Sequence, residues 1–271
     1  MKKIKISKSL VFYNSHKYNA GGKLKDFIDG TEIEKLIKKV EENIESEFIL
    51  VLGGDGTILK TIRQAYEKQL PVLGINFGTK GFLLTKIEEI IECTNFETIK
   101  YPLIECTIST KKEIISRIAF NEVDIRADTG KVLDLDVFLE KKGENKLKVN
   151  LKGDGLIIST PAGTTGYNYS LGGPIIPHLL KSFVLTPKAA LSPRNFRSIV
   201  LEEDREVIVR NVGRLSDLKV ICDGSDFFFT KDEEIEISIK KSNFSIKLLF
   251  PENSKNTLKD KLFLEQGFDI V

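Results

Sequence analysis

The run Phe48-Ile49-Leu50-Val51-Leu52, followed at once by Gly53-Gly54-Asp55-Gly56-Thr57, constrains this chain more than any other segment. Successive apolar residues without alternation predict a strand buried on both faces, as in a parallel sheet covered by helices. Glycines at its carboxyl end let the chain turn with positive φ and let a ligand approach bare backbone. Beyond them, Ile58, Leu59, Ile62, Ala65 and Tyr66 have the spacing of one helix face, so a helix is expected from Thr57 to Lys68. Strand, glycine turn and helix in this order offer unpaired N–H groups and the positive end of a helix, which suits a phosphate. A carboxylate there repels phosphate. Asp55 is therefore expected to hold a metal ion or to take a proton from a hydroxyl, or else to cap the following helix.

Helix and strand patterns alternate on either side of this unit. Lys3 to Ser7 reads as a first strand, and Ile33, Leu36, Ile37, Val40 and Ile44 share one face of a helix opening with the capping-box pattern Thr31-Glu32-Ile33-Glu34. Leu70 to Ile75 is a further apolar strand, ending in the turn-rich Asn76-Phe77-Gly78-Thr79-Lys80-Gly81. From Pro102 the period falls to two. It does so in Val132 to Leu139, in Leu147, Val149 and Leu151, in Glu206 to Val209 and in Leu218 to Cys222; Asp226 to Thr230, Ile235 to Ile239 and Phe244 to Phe250 do the same. The expected fold is an α/β N-terminal domain with a parallel sheet over residues 1–99, suited to phosphate or nucleotide, plus a mostly antiparallel all-β C-terminal domain over residues 100–254. The tail, about 255–271, is a candidate to pack back on the first domain.

Composition excludes several classes of partner and chemistry. Among 271 residues, 41 Lys and Arg face 39 Asp and Glu, and a net charge of +2 gives no sign of a nucleic-acid or membrane surface. Cys93, Cys106 and Cys222 form no C-x-x-C pair, which predicts free thiols in a reducing compartment. No apolar stretch reaches the length of a membrane span, and Met1-Lys2-Lys3-Ile4-Lys5 lacks the apolar core of a signal peptide, so a cytoplasmic soluble protein is expected. A P-loop is absent, Gly54-Asp55-Gly56 lacks the third glycine of a dinucleotide fingerprint, and no G-x-S-x-G occurs. His16 and His178 are the only histidines, with no H-E-x-x-H, so no protein metal cage is expected.

Two further segments carry chemistry. Asp154 to Pro174 begins as a strand, breaks at Pro161 and continues through small hydroxyl residues toward a short helix ending at Gly172. Its Thr, Ser, Asn and Tyr side chains make either a surface of small donors and acceptors for a sugar or base edge, or a loop whose hydroxyls satisfy one another. In Phe120-Asn121-Glu122-Val123-Asp124, an amide adjoins a carboxylate and can bracket a ribose diol or an adenine amine; such pairs are also common at turns.

Taken in order, Gly-Gly-Asp-Gly-Thr, Asn-Glu and Asp-Gly-Leu-Ile-Ile-Ser-Thr-Pro-Ala-Gly-Thr-Thr-Gly-Tyr resemble the signature of NAD kinases, from about Phe48 to Ser170. The first motif is shared with diacylglycerol and sphingosine kinases and, more loosely, with phosphofructokinases. The third is more specific, and here Thr164 and Gly166 stand where that family more often has Ser and Ala. The resemblance implies phosphoryl transfer from ATP, another nucleotide or polyphosphate to the 2′-hydroxyl of the adenosine ribose of NAD, making NADP. It implies Asp55 as the base, Gly56 approaching the dinucleotide and Lys60 near phosphate. Asn121 and Glu122 would hold adenine-side groups, and Lys152 and Asp154 would sit at the pocket edge, Asp154 meeting the nicotinamide portion of its own or a neighbouring subunit's ligand. Thr165, Gly166, Tyr167, Asn168, Tyr169 and Ser170 would line the adenosine pocket, with Tyr167 stacking on a ring. Ala189 matches the family's small residue after that segment, and Asp223 is a further contact. Mg²⁺ or another divalent cation would arrive with the phosphate donor, and the family's habits imply a homodimer or homotetramer. Two other readings share parts of this pattern. A lipid kinase would need an apolar acyl channel where this chain has hydroxyl-rich Thr164 to Ser170, and a non-enzymatic NAD(P)-binding regulator would have no use for Asp55.

Overall fold

A computed structural model describes residues 2–6, 9–43, 47–78, 81–128, 130–213, 215–230 and 233–252. The expected packing of the tail at 255–271 lies outside the described residues. The chain divides into two units, one comprising residues up to Tyr101 together with those from Ser245 onward, the other Pro102–Phe244.

In the first unit, β1 (Lys2–Ile6) and β2 (Ser9–Tyr13) form an antiparallel hairpin. Three helices then lead to the next strand: α1 (Ser15–Asn19), α2 (Lys23–Asp29) and α3 (Glu32–Asn43). Helix α3 buries Ile33, Leu36, Ile37 and Val40, the i, i+3, i+4, i+7 face expected of it, while Ile44 lies outside the described residues. Strands β2, β3 (Phe48–Gly53) and β4 (Val72–Asn76) run parallel, and residues 245–251 extend the sheet beyond β4, with Leu248 opposite Val72. Every residue of β2 and β3 is buried, as strands covered on both faces require.

Between β3 and β4 the single helix expected from Thr57 to Lys68 is two, α4 (Asp55–Leu59) and α5 (Ile62–Lys68). Thr61 causes the break. Its backbone N–H and its hydroxyl both donate to the Ile58 carbonyl, at 2.7 Å each, tightening the turn to a three-residue repeat. Helix α6 (Ile87–Glu92) completes this unit's helices among the described residues.

Strand β5 (Phe96–Ser109) carries the chain into the second unit, followed by β6 (Ile114–Ala119), β7 (Glu122–Ala127), β8 (Leu133–Glu140), β9 (Leu147–Gly153) and β10 (Gly155–Ser159). A 3-10 turn (Ala162–Thr165) and α7 (Tyr167–Ser170) precede β11 (Ser182–Lys188), β12 (Ile199–Glu202), β13 (Glu206–Asn211), β14 (Leu218–Cys222), β15 (Ser225–Phe229) and β16 (Glu236–Pro251). Six of these form an antiparallel sheet in the order β12-β11-β10-β7-β14-β15. The first half of β16 pairs with β13, which pairs with β8, which pairs with β9. Alternate residues of both sets share one core: Val123, Ile125, Leu156, Ile158 and Val220 from the six-stranded sheet, Leu135, Val137, Val207, Val209 and Ile237 from the others. The two strands expected at Ile235 to Ile239 and Phe244 to Phe250 are one strand, because Lys240-Lys241-Ser242-Asn243, which reads as a turn, stays extended.

Gly155 opens β10 with φ 138°, and a Cβ there would collide with the Ile125 carbonyl of the neighbouring strand. Gly155→Ala should lower unfolding free energy by about 3–5 kcal/mol. A urea unfolding curve checks this, and an unshifted midpoint would contradict the packing described.

Candidate functional site

The glycine turn at the end of β3 belongs to the first unit. A Cβ at Gly53 would collide with Thr57 Oγ1, so the close strand-to-helix turn admits no side chain there. Gly54 caps α4 in extended conformation, its carbonyl accepting from Thr57 N–H at 2.7 Å. Asp55 is the first helical residue, and its carboxylate does not cap its own helix. Oδ2 accepts from Phe82 N–H at 2.9 Å and Oδ1 from Leu83 N–H at 3.1 Å, in the segment after β4. Each oxygen keeps a further lone pair. A Cβ at Gly56 would meet nothing within 4 Å, so the protein's own packing leaves open space at that position. Lys60 follows at the end of α4, exposed.

The remaining predicted residues lie in the second unit, where Asp223 organises the Asn-Glu pair. Asp223 occupies the turn between β14 and β15 at φ 46°, and its carboxylate accepts from the N–H groups of Phe120 (2.6 Å), Asn121 (2.8 Å) and Glu122 (3.2 Å). Burial holds the Asp223 carboxyl above its ordinary value, and these three N–H groups offset that rise only in part. Glu122 has no such relief: its Oε2 is buried without a hydrogen-bond partner among the described residues. Burial first, then the nearby Asp223 and Asp124 carboxylates, raise Glu122 to about 8, so the side chain is a neutral acid able to donate at neutral pH.

The hydroxyl-rich loop is locked to that pair by backbone contact. Thr160 Oγ1 donates to the Phe120 carbonyl at 2.5 Å and Thr160 N–H to the Asn121 carbonyl at 2.8 Å. A Cβ at Gly163 would collide with the Asn121 carbonyl. Within the loop, Thr164 Oγ1 donates to Pro161 O (2.7 Å) and Thr165 Oγ1 to Ala162 O (3.3 Å). Asn168 is fully buried, donating to Thr164 O (3.3 Å) and Pro174 O (3.0 Å) and accepting from Thr186 Oγ1 (2.7 Å), so its amide serves the loop's own structure. Gly166, Tyr167, Tyr169 and Ser170 are exposed and Thr165 half-buried. At Gly166 a Cβ would stand 3.8 Å from Glu122 Oε2 and 3.3 Å from the Gly163 carbonyl, at an ordinary φ of −91°. The loop therefore lies directly against Glu122.

Lys152 and Asp154 are exposed on either side of the β9–β10 junction, Lys152 facing Asp134 at 3.3 Å. Ala189, exposed at φ 45°, helps line a cavity of about 500 Å³ with Leu171, Thr186, Phe196, Arg197 and Ser198. Sequence reasoning missed the ion pair beneath the loop: Lys188 Nζ lies 2.7 Å from Asp124 Oδ1, both nearly fully buried, and 4.6 Å from the Tyr167 ring centre. The one available signal was a lysine ending an otherwise uncharged strand.

Comparisons with known proteins agree with this arrangement of motifs. Residues 5–95 match the model of the ATP-NAD kinase N-terminal domain and residues 120–249 that of the ATP-NAD kinase C-terminal domain. An NAD kinase of Fusobacterium nucleatum is 32% identical over 272 residues, covering 96% of this chain and 97% of the relative. One of Christiangramia forsetii is 32% identical over 287 residues, covering 93% and 95%. In fold, the chain is similar to an NAD kinase from Archaeoglobus fulgidus solved in complex with ATP, with a TM-score of 0.67 and 23% identity over 96% of this chain and 99% of that one. A yeast NADH kinase complexed with NADH gives a TM-score of 0.69 at 24% identity, covering 83% and 67%.

Two outcomes are expected from this geometry. Glu122 binds its proton more tightly folded than unfolded, so its contribution to stability is full below the unfolded value near pH 4.5 and is lost as pH rises through about 8. Glu122→Gln should flatten the decline of the urea midpoint across that window, and an unchanged pH profile would contradict a neutral Glu122. Lys188→Met leaves buried Asp124 with only the more exposed Arg126 guanidinium, 3.7 Å from its Oδ2, and should cost about 3 kcal/mol in the same measurement. Lys188→Met with Asp124→Asn should recover much of that loss.

Proposed function

The chain belongs to the NAD kinase family, and on that premise we propose that Asp55 is the base for the 2′-hydroxyl of the adenosine ribose of NAD during phosphoryl transfer. The enzyme is a phosphotransferase acting on NAD. The observation that carries the assignment is the Asp55 carboxylate itself, held by two backbone N–H groups and set beside the open space at Gly56.

A ribose hydroxyl is a weak nucleophile, and the transition state places its charge on the transferred group, so alignment matters more than deprotonation in advance. As ribose O2′ bonds to the terminal phosphorus, the bond from phosphorus to the donor's bridging oxygen breaks and the hydroxyl proton passes to Asp55. The N–H groups of Phe82 and Leu83 fix the carboxylate's orientation while leaving lone pairs for that proton. On the dinucleotide side, the reading gives Asn121 and Glu122 to the adenine-side groups, with Glu122 as a neutral donor. It gives Thr165, Gly166, Tyr167, Tyr169 and Ser170 to the adenosine pocket and Lys152, Asp154 and Ala189 to its edge. Asn168 and Asp223 act from behind, as holders of the loop and of the Asn-Glu pair.

A divalent cation such as Mg²⁺ fits this arrangement when carried by the donor. Among the described residues no three of His, Cys, Asp and Glu cluster as a cage, and Mg²⁺ held by the donor's phosphates and by water asks for few protein ligands. Its contribution would be to neutralise charge on the phosphates. We further propose a cytoplasmic homo-oligomer. Free Cys93, Cys106 and Cys222 and the exposed Ile199 and Val200 on edge strand β12 support that reading, and no helix among the described residues is long and apolar enough to cross a membrane.

NADP formation followed in a coupled assay, with ATP and then polyphosphate as donor, tests the activity. Asp55→Asn should lower kcat by about 10²–10⁴ while the Kd for NAD stays within about twofold. Normal turnover in that variant would remove Asp55 from the role.

A further inference from the structure

Lys188 and Asp124 belong to strands β11 and β7, with β10 between them. Val123 and Ile125 point into the core of the second unit, so Asp124 points to the opposite face of the sheet. That is the face on which Thr186 meets Asn168 of the hydroxyl-rich loop, and Lys188, two residues beyond Thr186, shares it. Gly155, with no side chain, stands opposite Lys188 on β10, and the lysine reaches past it to Asp124. Nζ and Oδ1 meet at 2.7 Å, the lysine side chain 7% and the aspartate side chain 5% exposed. Arg126, more exposed, stands 3.7 Å from the other carboxylate oxygen.

A buried pair of this kind is a poor source of stability, because the cost of taking both charges out of water cancels most of their attraction. Its effect on the ring above it is specific. Lys188 Nζ lies 4.6 Å from the centre of the Tyr167 ring, within the distance at which an ammonium is held against an aromatic face. Tyr167 belongs to α7, a helix of four residues, too short to be rigid by itself. The residue is 39% exposed, so part of the ring's surface is open to a ligand. Asp124 pins the ammonium, and the ring therefore rests on a fixed charge. We propose that Lys188 is a positioning residue for the dinucleotide: its ammonium, pinned by Asp124, holds the Tyr167 ring in the attitude in which the purine of NAD stacks on it. A ring held in advance costs the ligand less ordering free energy than one free to turn. The inference rests on the reading of Tyr167 in the adenosine pocket and deepens it by naming what sets the ring.

The test uses the full chain, with NAD binding measured by calorimetry in the absence of a phosphoryl donor. Lys188→Met paired with Asp124→Asn removes the cation without stranding a carboxylate. The paired variant should raise the Kd for NAD about tenfold, or about 1.4 kcal/mol, between the values for exposed and desolvated cation–π contacts. Lys188→Arg keeps a cation under the ring and should stay within about threefold of wild type. In turnover, the paired variant should raise the KM for NAD about tenfold while the KM for the donor stays within about twofold, a split that general loss of structure would not produce. Tyr167→Leu should also raise the Kd for NAD about tenfold, and adding it to the paired variant should cost little more, because the cation acts through the ring. An effect carried instead through Glu122, which Asp124 also neighbours, would persist in the Tyr167→Leu background. Full additivity of the two changes, or an unchanged Kd in the paired variant, would overturn the proposal while leaving Tyr167 in the adenosine pocket. An unchanged Kd in Tyr167→Leu would overturn the pocket reading and the positioning role together.

Discussion

Strand β3 is hydrogen-bonded to a parallel neighbour on each edge and buried along its whole length, so its carboxyl end is where its backbone can meet a ligand. The surrounding structure is arranged to satisfy that end. The Gly53 carbonyl accepts from Phe77 N–H, Gly54 N–H donates to Thr57 Oγ1 at 3.4 Å, and Asp55 accepts from the N–H groups of Phe82 and Leu83. Three of these four donors follow β4, whose parallel pairing with β3 places them there. The constraint that builds the sheet therefore also aims the carboxylate.

In the second unit, one physical effect is answered in three ways. Burial bears on Asp223, Glu122 and Asp124, and what separates them is the partner each finds. Asp223 gathers three backbone N–H groups, and Asp124 faces the Lys188 ammonium. Glu122 Oε2 faces neither and is carried as a neutral acid. A carboxylate, a neutral acid and an ion pair thus sit around one loop, giving it an acceptor, a donor and a fixed cation within a few residues.

Much of the fold was legible because its signals are short-range. The glycine turn after an apolar run, the apolar face of α3 and the alternation in β8 and β13 each depend on neighbours within a turn or a strand. The misses have the same origin. Strand β2 is a five-residue run with no flanking period to announce it, and Thr61 splits the helix with a side-chain bond that apolar spacing does not reveal. Lys240 to Asn243 read as a turn because they are polar, yet strand pairing on both sides of them keeps the backbone extended.

The sequence by itself determined that a strand ends in a ligand-accessible turn bearing Asp55, that an amide and an acid stand together at Asn121 and Glu122, and that small hydroxyls crowd Thr160 to Ser170. Only the tertiary structure decided what those groups do. It spent Asn168 on the loop and turned Asp223 into a holder of three backbone N–H groups. It left Glu122 without a counter-charge and brought Lys188 to Asp124 across 64 residues of chain. Backbone conformation answers to residues a few positions away, whereas the charge and hydrogen bonding of a side chain answer to whatever the fold brings within about 4 Å of it in place of water.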